Sequence, residues 1–131
     1  MPDSKDATRW IEYAENDFQA GIQIKAQIAS SAAFLFHAAT EKYLKAVLLI
    51  QRTPIPHTHD ISVLIRTIDE NLEIDAREQQ AAKLLDVIFN VSRYPDDLLE
   101  LGLPETQSVY EAALTLRGFA RAKLGLSDQG G

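Results

Sequence analysis

AATEKYLKAVLLI, residues Ala38 to Ile50, reads as a helix that is apolar almost all the way round. At about 100° per residue, Glu41 and Lys45 fall between Phe34, Ala38 and Leu48, while Tyr43, Leu44, Ala46 and Val47 cover the other sides. A helix with apolar residues on every side is normally a buried one. Charges are costly in such a helix unless they are paired and hydrogen-bonded. The segment therefore marks either a structural ion network or a working site.

Helical patterns extend on both sides of it. Between Ala7 and Ile28, Trp10, Ala14, Gly21, Ile24 and Ile28 line one face, and Glu12, Glu15, Asn16, Gln19 and Gln23 the other. Ser30-Ser31 separates this first helix from a second, over about Ala32 to Gln51. Pro54 and Pro56 interrupt the backbone ladder in RTPIPHTHD. A short third helix is predicted from Thr58–Asp60, carrying Ile61, Leu64, Ile65, Ile68 and Leu72. The fourth opens on a capping box, Asp75-Ala-Arg-Glu78, and runs through Leu84, Leu85, Ile88 and Val91 until Pro95 ends it. Pro104 suits the first turn of a fifth, which carries Val109, Ala112, Ala113, Leu116, Phe119 and Ala120 and stops near Gly125. No strand pattern competes. The expectation is one all-α domain over 1–131, with its core at about 7–125 and a disordered tail at 126–131. Four long helices form an up-and-down bundle, with the short extra helix between helices two and four.

The 131 residues suffice for one real core. The absence of cysteine excludes a disulfide framework, thiolate metal sites and a cysteine nucleophile, and it fits a reducing, cytoplasmic setting. MPDSKDATRW has no signal-peptide core, and the longest apolar stretch, Ala46 to Ile50, is too short to span a membrane. A net charge of −6 argues against general coating of nucleic acid. There is no GxSxG, glycine-rich phosphate loop, HExxH or zinc-ribbon spacing, and His57 and His59 alone do not make a metal site. No cofactor is implied.

Three further features do not look like scaffold. Asp17 sits near the centre of the apolar face of the first helix, among Trp10, Ala14, Gly21 and Ile24. With Glu41 and Lys45 it could form a register-setting ion network or line a polar pocket between helices. His57, Thr58, His59 and Asp60 lie at a loop-to-helix junction, where Thr58 or Asp60 can cap and His59 can face an anion. Arg93 and Tyr94 close the fourth helix, in position either to complement its dipole or to meet a phosphate.

Trp10…Ala14…Asp17, FHAATEKYLKAVL, THDISVL and RYPD, in this order, resemble the HEPN domain family over about Arg9 to Leu124. The resemblance implies an α-helical up-and-down bundle, usually dimeric, related to domains that accompany nucleotidyltransferases and linked to nucleotides or RNA. Many HEPN proteins are similar to metal-independent endoribonuclease toxins, in which an Arg is followed after four to six residues by a His. Here the positions after Arg93 are Leu98, Leu99 and Glu100, so that motif is missing. Arg52 to His57 matches its spacing only formally, inside the proline-broken loop. The resemblance thus implies a non-catalytic homodimer that binds a nucleotide or docks a separate minimal nucleotidyltransferase. Lys45, His59, Arg93 and Tyr94 would face the ligand, and Asp17, Glu41 and Asp60 would organise the pocket. Two other readings stay open: a ribonuclease toxin of a toxin–antitoxin pair with an altered site, for which RNA is the less favoured partner, and a purely structural dimerisation bundle. Phe34, Leu35, Phe36 and Tyr43 look like surplus apolar surface for an interface.

Overall fold

The computed structural model describes residues 4–25, 27, 29–68, 74–92 and 103–126. They form helices α1 (Ser4–Ile24), α2 (Ala29–Ile50), α3 (Ile61–Ile68), α4 (Ala76–Ser92) and α5 (Leu103–Lys123), with no strand among them. The all-α prediction holds. Two boundaries differ: α1 ends at Ile24 instead of Ile28, and α2 takes in Ser30 and Ser31. Serine is well tolerated in a first helical turn, where backbone N–H groups have no partner within the helix.

Side-chain pairings set the directions of the helices. Trp10 meets Lys45, Glu15 meets Tyr43 and Phe18 meets Phe36, so α1 and α2 run antiparallel. Phe34 against Phe89 and His37 against Asp86 make α4 antiparallel to α2. Phe36 with Tyr110 and Tyr43 with Arg121 make α5 parallel to α2. The result is an up-down-up-down bundle, with α3 bridging α2 and α4. Helix α2 touches every other helix. Its residues Phe36, Ala39, Tyr43, Leu44, Ala46, Val47 and Leu48 are buried, as the apolar wheel requires. Gly21 lets α1 approach closely, since a Cβ there would lie 2.8 Å from the Phe36 ring.

Local chemistry closes the helices where the sequence places the signals. At the start of α4, Glu78 N–H donates to the Asp75 carboxylate (2.8 Å) and Asp75 N–H to the Glu78 carboxylate (3.3 Å), a reciprocal capping box. Helix α5 ends on Gly125 at φ +74°, with Gly125 N–H donating to Ala122 C=O and Leu126 N–H to Arg121 C=O. Helix α2 ends in the same double bond pattern, but with Arg52 at φ +57° in the left-handed position where glycine is the usual residue.

Helix α3 has an unusually full cap. Val63 N–H donates to Asp60, while Ile61 and Ser62 N–H donate to the two carboxylate oxygens of Asp86, which reach across from α4. Burial would raise the Asp86 carboxyl. The facing His37 and Asp60 and the two N–H donors outweigh it and hold Asp86 at about 2. Asp60, beside that carboxylate, is shifted upward, by burial first and by Asp86 second.

A second buried network joins three helices. Arg117 of α5 donates through Nε and a terminal nitrogen to the two oxygens of Glu15, both at 2.9 Å. The Tyr43 hydroxyl donates to Glu15 and accepts from Arg121 (3.1 Å). Arg117 and Arg121 are 6% and 8% exposed. Burial opposes ionisation of Glu15, yet the bonds from Arg117, Tyr43 and Gln19 hold its carboxyl below the usual range. Glu15 therefore does not stay on the polar face that its sequence position suggests; its side chain reaches α5. Asp17, expected at the centre of the apolar face, is instead half-buried and bonded to Lys42 (2.5 Å).

Two stability experiments follow from these networks. Glu15→Ala strips Arg117 of its carboxylate and should cost about 3–5 kcal/mol in chemical denaturation. Glu15→Leu combined with Arg117→Met should recover most of that loss; a pair as unstable as the single variant contradicts the assignment. The Asp86 carboxyl lies below its ordinary value of 3.8 in the folded chain, so its contribution is present above 3.8 and disappears as pH falls towards about 2. Asp86→Ala should cost about 2 kcal/mol at neutral pH, the upper range for a lost cap, and should flatten the acid limb of the stability profile. An unchanged acid limb contradicts this.

Candidate functional site

The polar middle of α2 faces the segment that the two prolines keep out of helix. Residues 53–60 run without regular structure, and Thr58 N–H turns back onto Pro56 C=O (3.0 Å). This brings His57 and His59 beside Lys45, with Trp10 of α1 opposite, around a cleft of about 400 Å³ that Ile55, Pro56 and Thr58 complete. The Lys45 ammonium lies 5.9 Å from the centre of the Trp10 ring.

Glu41 sits beneath Lys45 and His59. It accepts from Lys45 Nζ at 2.6 Å and lies 3.0 Å and 3.2 Å from His59 Nδ1 through its two oxygens. Burial would raise the Glu41 carboxyl, but the bonds to Lys45 and His59 hold it below the usual range. Glu41 and Lys45 are 14% and 15% exposed, against 68% for His59. The pair is thus partly enclosed while its imidazole partner stands in solvent.

Thr58 and His59 also line a second, smaller cavity of about 220 Å³ with Asp60, Asp86, Phe89 and Asn90. Its acidic groups already serve the cap of α3. Behind it lies His37, which the sequence reading did not weigh. Its ring is 2% exposed and stacks on Phe89 at 4.0 Å. Neither ring nitrogen has a hydrogen-bond partner among the described residues. Nδ1 is 4.0 Å from Glu41 and Nε2 is 3.7 Å from Asp86, within reach of charge attraction and too long for hydrogen bonds. The signal that could have found it is the one-turn spacing from His37 to Glu41 on a helix otherwise read as buried.

Of the predicted set, the structure brings Lys45, His59 and Glu41 together, with Asp60 one residue away at the cap of α3. Asp17 does not join them, because Lys42 holds it on the α1 side. Arg93 and Tyr94 lie outside the described residues. Trp10 and His57 are additions to the predicted ligand-facing set. Among the described residues no group of three acidic or imidazole side chains is placed to hold a metal ion. No helix among them is long and apolar enough to cross a membrane.

A larger cavity of about 620 Å³ lies between the start of α4 and the second half of α5. Part of its polar lining serves the fold, with Asp75 and Glu78 bonded to each other and Arg117 to Glu15, while Arg77 and Lys123 complete the rim. The smaller cleft at Lys45 is the better candidate, since it gathers an indole, an ammonium and two imidazoles, one of them largely exposed, on one space.

Two solved structures share this architecture. TT1696 from Thermus thermophilus superposes with a TM-score of 0.80 at 23% identity, over 89% of this chain and 97% of its own. ST0689, an archaeal HEPN homologue, does so with a TM-score of 0.76 at 22% identity, over 90% and 97%. At these identities the likeness shows the fold alone. No curated protein matches the chain. The HEPN domain profile, however, matches residues 7–121, the whole span that carries the bundle and the cleft, and the chain belongs to the HEPN domain family.

Proposed function

We propose that this HEPN domain is a non-catalytic nucleotide-binding module that works beside a separate nucleotidyltransferase. The observation that carries the reading is the convergence of Lys45, His57, His59 and Trp10 on one cleft. An ammonium and two imidazoles suit a phosphate, and an indole offers a stacking surface for a base. The volume of about 400 Å³ suits a mononucleotide better than a long strand. The family supports the link to nucleotides and to a transferase partner. The missing His after Arg93 supports a binding role over a catalytic one.

One observation favours a second reading. His57 and His59 beside Lys45 form a set able to move protons and to stabilise a phosphorane, as a ribonuclease with an altered site would need. Titration calorimetry with AMP, ATP and GTP, paired with incubation on total RNA, separates the two. Binding without cleavage is expected. Lys45→Ala and His59→Ala should each weaken binding about 10- to 100-fold, the worth of a charge-assisted hydrogen bond. Silence with every nucleotide would overturn the small-ligand reading, and His59-dependent RNA cleavage would favour the second. Failure of the tagged chain to co-purify any nucleotidyltransferase from its native host would remove the partner.

The module is proposed to act as a homodimer. Phe36 and Tyr43 do not supply the surface for this, because both are buried in the chain's own core. Phe34 does: it is 51% exposed and lies 5.9 Å from the Phe89 ring, beside the His37 cluster. Light scattering should give twice the chain mass, and Phe34→Ser should shift it towards the monomer. A wild-type monomer at high concentration would contradict the dimer.

A further inference from the structure

Glu41 makes, in the free chain, the contacts that an anionic ligand would need. Its carboxylate takes the Lys45 ammonium at 2.6 Å and the His59 imidazole at 3.0 Å, the two groups that face the cleft from α2 and from the loop. A phosphate entering the cleft must share or take over both. The side chain that competes with it is itself 14% exposed, so once released it needs a donor close by. Such a donor exists. His37, one turn before Glu41 on the same helix, is almost wholly buried, has no hydrogen-bond partner among the described residues, and directs Nδ1, the donor in the tautomer protonated there, at Glu41 from 4.0 Å.

We propose that Glu41 is a built-in competitor of the cleft's anionic ligand, and that His37 is the hydrogen-bond donor to which it swings when the ligand binds. A rotation of the Glu41 side chain that shortens the 4.0 Å separation to hydrogen-bond length leaves Lys45 and His59 free for a phosphoryl group. The buried imidazole then gains the partner it lacks, and the carboxylate stays compensated. The inference rests on the cleft being the ligand site and adds its regulation: the free module is self-occupied, and ligands too weakly charged to displace a carboxylate are rejected. It reverses the role of an organiser, under which removal of Glu41 would let the cations drift and weaken binding.

The experiment is titration of the full chain with AMP and with inorganic phosphate, followed by calorimetry and amide NMR shifts. Glu41→Gln keeps the shape of the side chain and removes its charge. It should tighten binding of both probes about ten-fold, the lower worth of a charge-assisted bond. His37→Phe in the wild-type background removes the donor and should weaken binding several-fold. In the Glu41→Gln background the same change should have little effect, which a double-mutant cycle reads directly. His37→Gln, which retains a donor, should fall between. Binding by Glu41→Gln where the wild type is silent would support the proposal most strongly. A weaker or unchanged Glu41→Gln, with Lys45 still required, would overturn the competitor role and leave the ligand site standing. Silence of both proteins would overturn the two together.

Discussion

Helix α2 is enclosed by all the other helices, and that enclosure governs the rest of the structure. A surface helix can leave its polar side chains to water; α2 cannot. Its enclosed polar groups have to meet counterparts, on α2 itself as Thr40 does with Phe36 C=O or on another element, or the burial that stabilises the fold would be offset by desolvation. Lys42 meets Asp17 of α1, and the Tyr43 hydroxyl lies between Glu15 of α1 and Arg121 of α5. Glu41 and Lys45 meet His59 of the proline-broken loop. His37 faces Asp86 of α4, which in turn caps α3. The register of the bundle is thus set by one helix's requirement for compensation, with apolar packing around it.

These contacts differ in what breaking them would cost. Around Glu15 every cation is buried, the arginine contact is two-pronged, and a tyrosine completes the set. Its carboxylate, arginine and tyrosine are all bonded to one another across three helices, so it acts as scaffold. Around Glu41 the arrangement is open on one side, where His59 stands in solvent and two cavities meet. The two carboxylates are similarly enclosed, and what separates scaffold from candidate site is the exposed partner, His59, at the open side of the Glu41 cluster.

The all-helical bundle was legible from the sequence because its signals are local. The capping box at Asp75, the glycine after α5, the prolines before α3 and the apolar wheel of α2 each act within a few residues of where they are written. The pairing of Glu41 with Lys45 was legible for the same reason, being one helical turn long. Longer-range choices were not. Glu15 lies on a polar face until α5 brings Arg117 to it, 102 positions later. Asp86 has no local reason to cap α3, which it reaches across 24 and 25 positions. Asp17 looked central to the apolar face because a helical wheel knows nothing of Lys42 on the neighbouring helix. A wheel reports which side of a helix a residue is on, but the partner depends on which helix lies there.

The difference in exposure also bears on how a ligand could enter without unfolding anything. An ion pair with one exposed member is worth roughly 0–1 kcal/mol, whereas separating a buried one costs about 3–5 kcal/mol. A phosphate at His59 therefore competes with a weak contact and one at Lys45 with a stronger, partly enclosed one, while the Glu15 cluster is untouched. His37 lowers the cost further, since the displaced carboxylate moves towards an unpartnered donor on its own helix and not into apolar surroundings. The chain thus keeps its strong compensation where the helices cross and its weak compensation where the loop leaves a cleft. That division lets one buried helix serve both as the axis of the fold and as the floor of the candidate site.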